Sequence, residues 1–146
     1  MRRLALILLL LNLAACNRSG TVVLVKVLYN PQAPFRDEIS SKLQAYSKQR
    51  PQTSNHKDIE VHEAGPGGAI FDSVISGTGG FPVTDADIVV LDPQQKNMSD
   101  KVKQGMATGK PACTAPLQCV AFIGPWIPAD RKEAAEDVFR ALTEGK

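Results

Sequence analysis

TVVLVKVLY, residues 21–29, is an almost unbroken run of β-branched and aliphatic side chains. Such a run reads as a strand buried on both faces, the habit of a parallel sheet. The turn chemistry of Asn30, Pro31 and Pro34 closes it. Phe35, Ile39, Leu43 and Tyr46 then recur near helical spacing, with Arg36, Asp37, Glu38, Lys42 and Lys48 turned to water, so an amphipathic helix is expected before Pro51. Residues 59–63 (IEVHE) alternate as a strand with one covered face does. Ala64, Gly65, Pro66, Gly67 and Gly68 follow, and a second helical pattern carries Ile70, Phe71, Val74 and Ile75. Gly77 to Pro82 breaks that helix, and residues 86–91 (ADIVVL) form a further buried strand closed by Asp92 and Pro93. The order β-α-β-α-β predicts an α/β fold with right-handed crossovers.

Beyond Pro93 the pattern weakens. Residues 97–110 read as a short helix and a loop, and residues 118–123 (QCVAFI) as a fourth strand. Pro125, Trp126, Ile127 and Pro128 interrupt pairing. Asp130 as N-cap with Glu133 three residues on predicts a capping box, and Ala134, Ala135, Val138, Phe139 and Leu142 supply the apolar stripe of a last helix. The expected fold is a three-layer α-β-α domain on a mostly parallel sheet of four to five strands.

The amino terminus has a different texture. Arg2 and Arg3 precede an apolar run of about eleven residues that ends in Leu13-Ala14-Ala15-Cys16. A positive start, a short greasy core and small residues before a cleavage point mark an export signal. The core falls short of the roughly 20 apolar residues that a membrane-spanning helix needs. Leu-Ala-Ala-Cys in that position resembles the lipobox of bacterial lipoproteins, which implies a diacylglycerol on the Cys16 thiol. The expected division is a lipoprotein signal peptide over residues 1–15, a tether over 16–20 and an α/β domain over 21–146. By the same resemblance Asn17, not being aspartate, favours the outer membrane over the inner in a Gram-negative host. The expected location is the cell envelope, lipid-anchored and facing the periplasm or the exterior.

Loss of Arg2 and Arg3 with the signal lowers Lys+Arg from 17 to 15, equal to the 15 Asp+Glu. The exported chain is then close to neutral. No basic stretch is interleaved with aromatics, so nothing points to nucleic acid. In an oxidising compartment Cys113 and Cys119 suit a structural disulfide around Ala115 and Pro116. Their spacing matches neither a zinc knuckle nor a C-x-x-C redox motif, and no metal site is expected.

In open parallel sheets ligands bind beyond the carboxyl ends of the strands. Three turns qualify: residues 30–34, 64–68 and 92–95. In the second, glycines allow close backbone approach, and the following helix offers unpaired N–H groups to an anion, although a plain strand-to-helix turn explains the same glycines. Gln32, Gly67, Gly68 and Asp92 are the candidate ligand residues. Asp72, Asp85, Asp87 and Asp92 are the evident carboxylates. Asp85 and Asp87 flank a strand start, where solvation is the ordinary role. Ser73 and Ser76 lack a nucleophile elbow, and His62 reads as a residue of a solvated face. No catalytic residue and no cofactor are assigned.

The succession just described, from the first strand through I-E-V, the glycine turn and A-D-I-V-V, resembles the first lobe of the bacterial extracellular solute-binding proteins of the periplasmic type, including the molybdate-like oxyanion binders. Gly124-Pro125-Trp126-Ile127-Pro128 and the helix after it are similar to that family's closing segment. The resemblance implies a single lobe, because only about 25 residues separate Asp92 from Gln118 where a second lobe would be inserted. It also implies a binding protein associated with transport, whose partners are the membrane, through the lipid on Cys16, and a small solute. The alternative expectation is a non-enzymatic structural or interaction lipoprotein that has lost solute binding and meets an envelope protein, with Trp126 as a candidate contact, although a buried packing role is the favoured reading of that residue.

Overall fold

The computed structural model describes residues 21–144. The signal segment, Cys16 and the tether lie outside the described residues.

The elements in chain order are β1 (Val22–Leu28), α1 (Arg36–Lys48), β2 (Asp58–Ala64), α2 (Gly68–Ser76), a 3-10 turn (Val83–Asp85), β3 (Ile88–Leu91), α3 (Asp100–Met106), β4 (Lys110–Pro111), β5 (Val120–Ile123) and α4 (Ala129–Thr143). The sheet order is β2-β1-β3-β5-β4. β1 runs parallel to β2 along its whole length and parallel to β3 at Val27 and Leu28. β5 is antiparallel to both β3 and β4. The chain is thus α/β with a mixed sheet, parallel on one side of β3 and antiparallel on the other. The reversal has a local cause: β4 reaches β5 through a short turn that the Cys113–Cys119 disulfide closes, with Cα atoms 5.3 Å apart. A connection that short returns the chain antiparallel, whereas a parallel partner needs a dozen or more residues of crossover.

Alternation along β3 divides the core. Ile88 and Val90 join one cluster with Val23, Val25 and Val27, with Ile39, Leu43 and Tyr46 of α1, and with Ala134, Ala135, Val138 and Leu142 of α4. Val89 and Leu91 join a second cluster with Leu28, Phe122, Phe71, Val74 and Ile75 of α2, and Val102 of α3. α1 buries the stripe that its spacing predicts.

The first strand departs from expectation. Val23, Val25 and Val27 are buried, but Val22 and Lys26 are exposed and Leu24 is half-buried. The opposite side chains of β2, Asp58, Glu60 and His62, are exposed as well. One face of the β1–β2 pair is therefore covered only near Leu28, because α2 and α3 pack over β3 and β5.

Two local signals resolve differently as well. α4 begins at Ala129 with Pro128 as N-cap and no side-chain cap, so the capping box does not form. Pro128 pre-sets the entry, and Glu133 instead accepts hydrogen bonds from the N–H and hydroxyl of Ser54, at 2.6 and 3.0 Å. Asp87 is not solvated. It is 1% exposed; its carboxylate accepts from the Lys26 N–H at 3.0 Å and pairs with Arg131 at 3.1 Å. Trp126 is a packing residue: its indole N–H donates to the Ala86 carbonyl at 2.8 Å, and its ring meets Phe122 edge to face. Among the described residues no helix is long and apolar enough to cross a membrane.

Candidate functional site

The turns after β1, β2 and β3 lie at the carboxyl ends of three mutually parallel strands, and each is shaped by its own residues. In the first, the Asn30 side chain accepts from the Gln32 N–H at 2.9 Å and its carbonyl accepts from the Ala33 N–H at 3.0 Å. This Asx-type turn holds Gln32 outward. In the second, a Cβ on Gly65 would collide with the Tyr29 carbonyl. Gly65 is glycine because the end of β1 presses on it, not because a ligand does. Gly68 has φ +57°, a left-handed conformation that L side chains rarely adopt. In the third, the Asp92 carboxylate accepts from the Gln94 N–H at 2.8 Å and its carbonyl accepts from the Gln95 N–H at 3.0 Å.

The fold brings three of the four candidate residues together. The Gln32 carboxamide lies against Gly67 and Gly68, 3.3 and 3.1 Å from where their Cβ atoms would stand. α2 opens there with Gly67 as N-cap and no side-chain cap. Among the described residues the Gln32 carboxamide has no hydrogen-bond partner, so its N–H2 and C=O can serve a ligand beside the first N–H groups of α2. Ile70, in the same first turn, is 61% exposed.

Asp92 belongs to a different hollow. With Asp72, Ser73, Ser76, Gln95 and Asn97 it lines an open cavity of about 620 Å³ along the flank of α2. The two places are joined by α2 itself, since the Gln95 side chain donates to Asp72 at 3.2 Å. Both are polar and open, suited to binding through hydrogen bonds. Ser73 donates to the Ile70 carbonyl and Ser76 to the Ser73 carbonyl, so neither is paired with a base. Among the described residues no group of three or more His, Cys, Asp and Glu could hold a metal ion.

Tyr29 closes the side of the first turn. Its hydroxyl donates to Glu63 at 2.7 Å, and burial followed by that carboxylate pushes its pKa up to about 12. Burial, then the carboxylate of Asp137, pushes Tyr46 up as well. These are the protein's two tyrosines. A raised native pKa favours the neutral phenol, so this stability is complete below about pH 10 and is lost as pH climbs toward 12, because the unfolded chain ionises first. At about pH 11 the folded protein is expected to show little tyrosinate absorbance, where free tyrosine is mostly ionised. Ordinary phenol titration near pH 10, with secondary structure retained, would contradict both contacts.

Comparison with protein-family models, with curated proteins and with solved structures finds no match.

Proposed function

We propose that this chain is a lipid-anchored extracytoplasmic binding protein, a three-layer α-β-α lobe of solute-binding type held to the membrane through a diacylglycerol on Cys16 and presenting its strand-end turns to a small solute. The observation that carries the reading is the unpartnered Gln32 carboxamide lying over Gly67 and Gly68 at the uncapped start of α2. Amide donors, a helix N-terminus and close-lying backbone make a site for a polar or anionic solute. The export signal and lipobox of the sequence supply the location. No catalytic step is proposed. A second reading, an interaction lipoprotein, draws on Ile70: an apolar side chain 61% exposed on the same rim suits a protein surface.

Two measurements test the proposal. Mass spectrometry of the membrane-extracted protein is expected to place diacylglycerol on Cys16 as the first residue; an unmodified thiol removes the anchor. A thermal-shift panel of oxyanions and sugars is expected to contain a solute that raises the melting temperature by several degrees at saturating concentration, since about 100 Kd of ligand adds roughly 2.7 kcal/mol. Gly67→Val, whose new side chain displaces Gln32, should erase that shift while leaving the unliganded melting temperature within a few degrees. A shift that survives Gly67→Val moves the site away from the rim.

A further inference from the structure

A second site, touching the rim only at Ala64, sits on the open face of the β1–β2 pair. Lys26 and His62 stand directly opposite each other in the parallel register, and both are exposed. The Lys26 charge, with the ring N–H of His62 beside it, calls for an anion. The protein does not supply one. Among the described residues neither the Lys26 ammonium nor the His62 imidazole has a hydrogen-bond or ion-pair partner. The two side chains line a cavity of about 280 Å³ together with Leu28, Ala64, Phe81, Asp85 and Ala86. Phe81, 38% exposed, is one of the few large apolar side chains the described chain shows to water. Glu63 also borders the cavity, but its carboxylate is taken up by Tyr29. Asp85 is exposed and has no ion-pair partner among the described residues.

We propose that this cavity binds a small zwitterion with an apolar body, of the size and chemistry of leucine or phenylalanine. Lys26 and His62 hold its carboxylate, Asp85 holds its ammonium, and Leu28 and Phe81 cover its side chain. The volume of about 280 Å³ falls just below the range of drug-sized ligand sites, about 300 to 1,000 Å³, as suits a single amino acid. Charge-assisted hydrogen bonds at both ends of the ligand offset the loss of its hydration.

An amide-resolved NMR titration of the mature full-length protein tests this. L-leucine and L-phenylalanine are expected to shift the amides around Lys26, His62, Phe81 and Asp85, with a Kd of about 1 mM or tighter. Their carboxylate-only analogues, isocaproate and 3-phenylpropanoate, and the amine-only analogues, isoamylamine and phenethylamine, should bind about tenfold more weakly or not at all. Lys26→Ala should weaken the amino acids about tenfold, and Asp85→Asn should weaken them while leaving the carboxylates unchanged. Phe81→Ala should reduce phenylalanine binding most. All three positions are exposed, so the variants should keep the melting temperature of the parent. No shift at these amides up to about 10 mM ligand overturns the proposal. Shifts confined to Gln32, Gly67 and Gly68 overturn it while supporting the rim reading. A carboxylate that binds as tightly as its amino acid overturns the role of Asp85 and with it the zwitterion.

Discussion

Asp87→Ala is expected to lower the free energy of unfolding by about 3 kcal/mol. The carboxylate is buried where four parts of the chain meet. Its Oδ2 accepts from the Lys26 N–H of β1, and its Oδ1 accepts from Arg131 Nε of α4 at 3.2 Å, with Nη2 of the same guanidinium ion-paired to it at 3.1 Å. The backbone of the same residue donates to the Lys26 carbonyl and accepts from the Gly124 N–H at the end of β5. β3 begins at Ile88, so below it β1 has no strand on that side, and the Asp87 side chain substitutes for the missing ladder. Alanine leaves the part-buried Lys26 N–H without that acceptor and a guanidinium without its anion. Removing one partner of a buried ion pair costs about 3–5 kcal/mol. The Arg131 side chain is 35% exposed and can turn to water, which places the effect at the lower end. Asp87→Asn keeps an acceptor for Lys26 and should lose about 1–2 kcal/mol. Urea denaturation reads both, with the midpoint falling and the slope unchanged. A loss below about 1 kcal/mol for Asp87→Ala would mean that the carboxylate is not the tie between β1, β5 and α4.

That residue marks where sequence reading stops. The stripe of α1 was legible because Phe35, Ile39, Leu43 and Tyr46 repeat on one helical face, and the β-α-β-α-β order because apolar runs alternate with turns at Pro31, Gly65 and Pro93. Ala-Asp-Ile-Val-Val reads the same whether its aspartate is solvated or buried, since the partner that decides, Arg131, is 44 residues away. The direction of β5 is equally silent: Val-Ala-Phe-Ile is apolar either way, and the disulfide turn sets its sense. Lys26 did carry a signal. A lysine inside TVVLVKVLY marks a position that cannot be covered without a partner, and it lies on the open face. At the rim the glycines were visible, but their reasons were not. That Gly65 yields to the Tyr29 carbonyl, and that Gln32 fills the space beside Gly67 and Gly68, follows from the register Leu28 opposite Ala64, which no local pattern states.

Gly105→Ala gives the sharpest opposition between sequence and packing. In a helix the change normally stabilises by up to about 1 kcal/mol, because alanine loses less backbone entropy. In α3 it is expected to destabilise by about 3 kcal/mol. Gly105 is buried, and a Cβ there would overlap three atoms of the Phe122 ring, the farthest only 2.8 Å away. Real Cβ atoms do not come so close. The ring has nowhere to go: Phe122 is 0% exposed and Trp126 stands edge-on against it, with centroids 6.3 Å apart. α3 would have to lift off β5, carrying Val102 with it, and overpacking of that kind outweighs the propensity gain. The melting temperature should fall by about 10 °C for a domain of this size. Phe122→Leu removes the overlapping ring edge, so Gly105→Ala made in that background should cost at most about 1 kcal/mol, a coupling that a double-mutant cycle measures directly. If Gly105→Ala instead raises the melting temperature, α3 does not sit on Phe122, and the second core cluster is packed by other contacts than these.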